Sequence, residues 1–203
     1  MATRDAKRVL GLRFERGFSL VELLLSIAIL TILLIISIPT LLKAYHSYQL
    51  NDAASRFSGI LKSTRFTAIR KNTPVDCQVK QSAASYTIWV DLDGDGTAES
   101  TEPQILMNGL VTFLGSASVP APTPIATALG AGSPAISVLS PGNSTITFDQ
   151  RGAIKFAGPP AVDVFYLGNT NLSDLGFAAI VLLPSGNVQV WSAGPGGTWH
   201  RIS

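Results

Sequence analysis

Two groups of residues in this chain have types and spacing suited to chemistry. The first is one carboxylate, Glu22, at the edge of twenty uncharged residues, Leu23 to Leu42. A carboxylate well inside a bilayer costs on the order of 2.5–3.5 kcal/mol, and glutamate is too short to reach far toward water. Glu22 therefore either sits at the headgroup level or pairs with a positive charge inside an assembly. The second group is Asp91-Leu92-Asp93-Gly94-Asp95-Gly96-Thr97-Ala98-Glu99-Ser100-Thr101-Glu102. Acids at loop positions 1, 3 and 5, glycine at 6 and glutamate at 12 meet the demands of a twelve-residue calcium loop. Calcium takes roughly six to eight hard oxygens, and the glycine lets the chain reverse around the ion.

Asp91, Asp93, Asp95, Thr97 and Glu102 are thus candidate calcium ligands. The flanks differ from those of an EF-hand, because Tyr86-Thr87-Ile88-Trp89-Val90 alternates like a strand and Pro103 follows Glu102. A plain acidic hairpin, in which Asp and Gly satisfy local backbone geometry, is the competing reading. Other catalytic constellations are missing. His46 and His200 lie far apart in sequence, and Gly194-Pro195-Gly196-Gly197 lacks the lysine and the strand-to-helix setting of a phosphate loop. An enzyme is not expected, and neither is a resident cofactor beyond possible calcium.

The elements that position these groups begin with the leader. Residues 1–17 hold Arg4, Lys7, Arg8, Arg13 and Arg16 against Asp5 and Glu15, a charge of +3. The remainder has 10 basic and 11 acidic side chains, so the +2 of the whole chain resides in its leader. A nearly neutral body does not suggest a nucleic-acid surface. The basic leader instead fits the positive-inside rule, which keeps the N-terminus cytoplasmic and sends the rest across.

A secretory signal has a shorter apolar core of ~7–15 residues and a small-residue cleavage site after it. Here the uncharged run is longer and is followed by Lys43-Ala44-Tyr45-His46. Twenty helical residues at ~1.5 Å each match a hydrocarbon core of ~30 Å. The segment reads as a span that stays attached to the protein. Beyond it, Leu50, Ala53, Ala54, Phe57, Ile60, Leu61, Thr64 and Ala68 recur at three- and four-residue steps, the mark of one buried helix face. Asn72-Thr73-Pro74 supplies the stop. One helix is therefore predicted from Ser19 to about Lys71.

The stretch Arg16-Gly17-Phe18-Ser19-Leu20-Val21-Glu22-Leu23-Leu24 resembles the type III signal of type IV pilins and type II secretion pseudopilins. The resemblance implies that a prepilin peptidase cuts between Gly17 and Phe18 and methylates Phe18. It also implies that Glu22 pairs with the N-terminal amine of a neighbouring subunit, a charge that exists only after cleavage. Pro39 stands where that family commonly has a helix-interior proline, a residue that removes a backbone hydrogen bond and kinks or locally melts the helix. Leu61, Arg65, Ala68, Ile69, Asn72, Pro74, Val75 and Cys77 resemble the helix exit of GspH/FimT-type minor pseudopilins. Phe148-Asp149-Gln150-Arg151-Gly152 and Val181–Val190 look like that group's two C-terminal hairpins.

The architecture so implied is α+β, a long helix packed on an antiparallel β-sandwich. Residues 1–17 form a cleaved cytoplasmic leader, 18–43 the transmembrane and assembly helix, 44–73 its amphipathic continuation and 74–203 a periplasmic β-rich domain. Strands are predicted at Val75–Lys80, Ser85–Asp91, Gln104–Leu114, Ala135–Leu139, Ser144–Asp149, Ala153–Phe156, Val162–Leu167, Phe177–Leu183, Asn187–Trp191 and Trp199–Ile202. The uncharged Ala/Pro/Gly/Ser stretch Gly115 to Pro134 reads as a loose surface loop. Cys77 is expected to be a small buried hydrophobe in a strand.

The implied function is that of a minor pseudopilin in a type II secretion pseudopilus or a related pilus. Its partners are prepilin peptidase, other pilins or pseudopilins and the inner membrane. FimT-like members act in DNA uptake, with a Gly-Arg-x-Arg stretch in a C-terminal hairpin thought to bind the DNA. The matching positions here are Gly186-Asn187-Val188-Gln189, without either arginine. Phosphate binding needs clustered positive charge, so DNA is not an expected partner.

Overall fold

A computed structural model describes residues 18–83, 85–130, 134–139 and 142–203. The leader, with Gly17, lies outside the described residues, as do positions 131–133 of the stretch expected to form a loose loop. The chain divides into two compact units, Met1–Leu41 and Leu42–Ser203. The helix α1, Leu20–Lys71, belongs to both and is helical on either side of Pro39.

In the first unit the side chains of α1 are exposed from Leu20 onward. Its most apolar window has a mean hydropathy of 2.8 and no buried residue. A core helix of a soluble protein would bury such a window. By length and composition α1 is the one candidate membrane span among the described residues. Two hydroxyls fold back onto the helix, Ser26 Oγ donating to the Glu22 carbonyl at 2.7 Å and Thr31 Oγ1 to that of Ile27 at 2.8 Å. These two hydroxyls are thereby satisfied inside the segment, as a hydrocarbon environment requires.

In the second unit the predicted face of α1 is the one that packs. Leu50, Ala53, Ala54, Phe57, Ile60, Leu61, Thr64 and Ala68 are all buried. They join a core shared with two sheets. The first sheet has strand order β3-β2-β1-β6, built from β1 Val75–Ser82, β2 Ser85–Asp91, β3 Gln104–Met107 and β6 Ser144–Phe148. The second runs β10-β9-β8-β7-β4, with β4 Thr112–Leu114, β7 Val162–Gly168, β8 Phe177–Leu182, β9 Val188–Ala193 and β10 His200–Arg201. β5, Ile136–Val138, pairs with β7 in parallel, the one exception to antiparallel pairing among the named strands. This is the α+β, pilin-like arrangement of a long helix on antiparallel sheets.

Phe57 anchors the helix. It is fully buried and meets Phe113 of β4 and Phe165 of β7 edge-on, at centroid separations of 5.5 and 4.9 Å. Such pairs add ~0.5–1.5 kcal/mol each beyond their area. Cys77 is buried in β1 as expected, and burial pushes its thiol up to about 12, the Thr64 hydroxyl beside it acting the other way. It is a protonated hydrophobe at any physiological pH.

Three expectations need correction. The single strand predicted at Gln104–Leu114 is two strands in different sheets, since β3 pairs with β2 and β4 with β7. Gly109, at φ +78°, makes the reversal between them. No strand forms at Ala153–Phe156. Ile154 makes one bridge to Phe148, and its N–H goes to the Pro184 carbonyl at 3.0 Å, while Pro159 and Pro160 downstream bring no N–H to a ladder.

The third correction concerns Gly115 to Pro134. Its described part contains a 3-10 turn, Ser116–Ser118, and a short helix α2, Thr123–Leu129, with Pro124 in the first turn, where its missing N–H costs nothing. Ile125 is fully buried against a second apolar cluster on the other face of β7 and β8, with Val164, Tyr166, Val181 and Trp199. Trp199 Nε1 donates to the Pro120 carbonyl at 3.1 Å. The segment is a packed cover, so both faces of β7 and β8 are buried.

Candidate functional site

The acidic loop leaves β2 at Asp91 and returns to β3 at Gln104. Asp91 and Glu102 are only 3% and 5% exposed, which requires partners for both carboxylates. Asp91 accepts the N–H of Gly94 at 2.7 Å and of Gly96 at 3.0 Å, and the Gln78 amide at 3.3 Å. Glu102 accepts the N–H of Leu92 at 2.6 Å and of Glu99 at 3.2 Å. Asp93 and Asp95 accept the N–H groups of Asp95 and Thr97. Gly94 and Gly96 have φ of +81° and +70°, which explains why glycine occupies both positions. The loop is tied to α1 through Lys71 Nζ, which donates to the Leu92 carbonyl at 2.9 Å.

One oxygen from each of Asp91, Asp93 and Asp95 lies within 4.8 Å of the others. Those three oxygens are hard donors of the kind calcium takes. Glu102 stands outside that cluster and ties together the two ends of the loop. An open cavity of about 630 Å³ lies beside the cluster, lined among others by Thr73, Asp76, Thr147 and Lys155. Hydrogen bonds among the loop's own groups hold the turn, and the carboxylate oxygens that accept them keep further lone pairs.

A second site is a junction that sequence reasoning singled out only piecemeal. Arg65 of α1 donates from Nε to the Gly152 carbonyl at 3.0 Å. Gly152 ends the turn after β6, where Asp149 Oδ1 accepts the N–H of Arg151 at 2.9 Å and of Ala153 at 2.8 Å. Gly186, in the turn between β8 and β9, packs onto the same carbonyl, since a Cβ there would lie 1.9 Å from the Gly152 oxygen. Helix and two hairpins therefore meet at one backbone group. The signal was present as an arginine outside the buried set of the helix and a glycine in each turn, but nothing in the spacing joins them.

At the N-terminus the described residues begin at Phe18, which is exposed, and Glu22 is exposed in the first turn of α1. No cation among the described residues lies in ion-pair range of Glu22. The helix N-terminus is the electropositive end, which favours a carboxylate in its first turn. Residues 12–38 match the family model described as the prokaryotic N-terminal methylation motif. The chain carries a type IV pilin-like prepilin signal, and with the long helix on antiparallel sheets it has the form of a type IV pilin-like subunit. No curated protein and no solved structure matches it.

Proposed function

We propose that this protein is a minor pseudopilin of the GspH/FimT type, a structural subunit of a type II secretion pseudopilus or a related pilus. It is inserted with its N-terminus in the cytoplasm and its β-rich domain in the periplasm. Prepilin peptidase then cuts after Gly17 and methylates Phe18. The new amine supplies the positive charge that Glu22 of a neighbouring subunit pairs with in the filament. Pro39 serves assembly by loosening the helix within the filament. The observation that carries this reading is the methylation motif over residues 12–38, most of which is the apolar start of α1.

DNA capture for uptake is the alternative. It gains nothing at the turn between β8 and β9, where Pro184-Ser185-Gly186-Asn187 carries no cation. For the acidic hairpin we favour the role of a self-bonded turn, with calcium at Asp91, Asp93, Asp95, Thr97 and Glu102 as the competing assignment. Mass spectrometry of protein recovered from cells that contain the peptidase tests the main reading. A mature chain starting at methylated Phe18 is expected, and an intact Met1 would refute it.

A further inference from the structure

The exposed side of α1 changes character in steps as it leaves the apolar run. Leu41, Tyr45, Tyr48 and Asp52 follow one another at four-, three- and four-residue intervals and so lie along one stripe of the helix. Leu41 is 70% exposed, Tyr45 56% and Tyr48 69%. Asp52 closes the stripe in a 2.8 Å ion pair with Arg56. The opposite side is already turned toward the domain by Leu50, which is 6% exposed. Alkyl and phenol therefore succeed one another along a surface that the protein leaves uncovered and that ends at the half-buried Asp52 and its ion pair.

That order is the order of a lipid leaflet from hydrocarbon to water. We infer that Tyr45 and Tyr48, with Lys43 beside them, form an interfacial anchor that seats the start of the globular unit in the phospholipid headgroup layer before assembly. The inference rests on the single-pass reading given above. Distances along the helix decide between lipid and water. Tyr45 and Tyr48 lie three and six residues past Leu42, or ~4.5 and ~9 Å at ~1.5 Å per residue. The headgroup layer on each side is ~5–8 Å thick, the difference between a ~30 Å core and a ~40–45 Å bilayer. Tyr45 falls within that layer and Tyr48 at its outer edge, whereas Asp52, ~15 Å out, stands in water. Tyrosine suits the position because its ring is apolar and its hydroxyl is wet. Lys43 can extend its ammonium toward lipid phosphates.

Nitroxide labels read this depth directly. Single labels are placed by Leu33→Cys, Tyr45→Cys, Tyr48→Cys and Arg56→Cys in the full chain, reconstituted in vesicles of phosphatidylethanolamine and phosphatidylglycerol. Cys77 is fully buried and escapes labelling. Accessibility to oxygen and to a water-soluble nickel chelate should place the label at 33 in hydrocarbon, those at 45 and 48 at the headgroups and that at 56 in water. A label at 48 as open to nickel as the label at 56, with 33 still deep, would overturn the anchor and leave the span intact. A label at 33 open to water would sink the span and the anchor together. With the label moved to Ala44→Cys, Y45A/Y48A should shift its depth and Y45W/Y48W should hold it. An unchanged depth in Y45A/Y48A would also overturn the role given to the rings.

Discussion

Arg65 Nε and the carbonyl oxygen of Gly152 are 3.0 Å apart, a hydrogen bond that spans 87 residues of sequence and joins the last turns of α1 to the turn after β6. Gly186 brings the turn between β8 and β9 onto the same oxygen. The two glycines are not equivalent. A Cβ at Gly152 would meet Ile69 Cδ1 at 2.7 Å, the movable tip of a side chain, whereas one at Gly186 would meet backbone. Left-handed backbone alone costs an alanine ~1–2 kcal/mol. Gly186→Ala should therefore lose more than ~3 kcal/mol, and Gly152→Ala clearly less. Arg65→Ala should lose ~1.5–3 kcal/mol, the range for a charged hydrogen bond to a partner it leaves bare. Urea denaturation of residues 45–203 measures all three, and equal losses at the two glycines would contradict the geometry.

The acidic hairpin offers a clean choice between a turn and a chelator. Because Asp91 and Glu102 already accept the loop's own N–H groups, millimolar calcium should leave the melting temperature of residues 45–203 within about a degree. Glu102→Ala should cost ~1–3 kcal/mol by stranding the N–H groups of Leu92 and Glu99. A calcium-dependent rise of several degrees that disappears in Asp93→Asn/Asp95→Asn would establish the metal site instead.

Asp163 introduces a pH dependence. It is 8% exposed in β7, and burial raises its carboxyl from 3.8 to about 6. The folded protein thus holds this proton more tightly than the unfolded chain. Stability is fully present below about pH 4, falls as pH rises to about 6 and stays lower beyond that. Asp163→Asn should stabilise the domain by roughly 1–2 kcal/mol at pH 7.5 and change little at pH 4. A gain of equal size at both pH values would assign the effect to packing.

Glu22→Ala should still insert, since it removes a carboxylate at the edge of the apolar run, but it should assemble poorly. Losing one partner of a buried pair costs ~3–5 kcal/mol, so filament incorporation should fall on the order of tenfold or more. Normal incorporation, followed by crosslinking to neighbouring subunits, would count against the pairing with the Phe18 amine.

The helix was legible because its buried positions keep a 3.6-residue period from Leu50 to Ala68 and Pro74 ends it. The strands β1 and β2 were legible from alternation, with Cys77, Val79, Ile88 and Val90 facing the core and Gln78 and Thr87 facing out. What alternation cannot say is which sheet a strand joins, so the change of sheet at Gly109 was invisible. Ile125 was hidden for another reason: one isoleucine among small uncharged residues has no period, and its place is given by the cluster beneath it, with Val164, Tyr166, Val181 and Trp199. The loop's residue types were readable, but the commitment of Glu102 to Leu92 and Glu99 depends on where β3 begins. A partner for Glu22 came only from the resemblance at residues 16–24, since the residues of one chain do not display a neighbour.

The cover made by α2 has a consequence for how this domain breathes. β7 and β8 are buried on both faces, and the described part of the segment over their outer face packs there through Ile125, half-buried Val119 and Leu129 and the Trp199–Pro120 hydrogen bond. Such a segment opens at a lower free energy than the sheet under it. In hydrogen–deuterium exchange, amides of residues 123–130 should exchange through a local excursion that bares Tyr166 and Val181. Those of β7 and β8 should wait for global unfolding. The domain thus has two exchange clocks, and the faster one uncovers apolar surface without disturbing the grip of α1 on the other face.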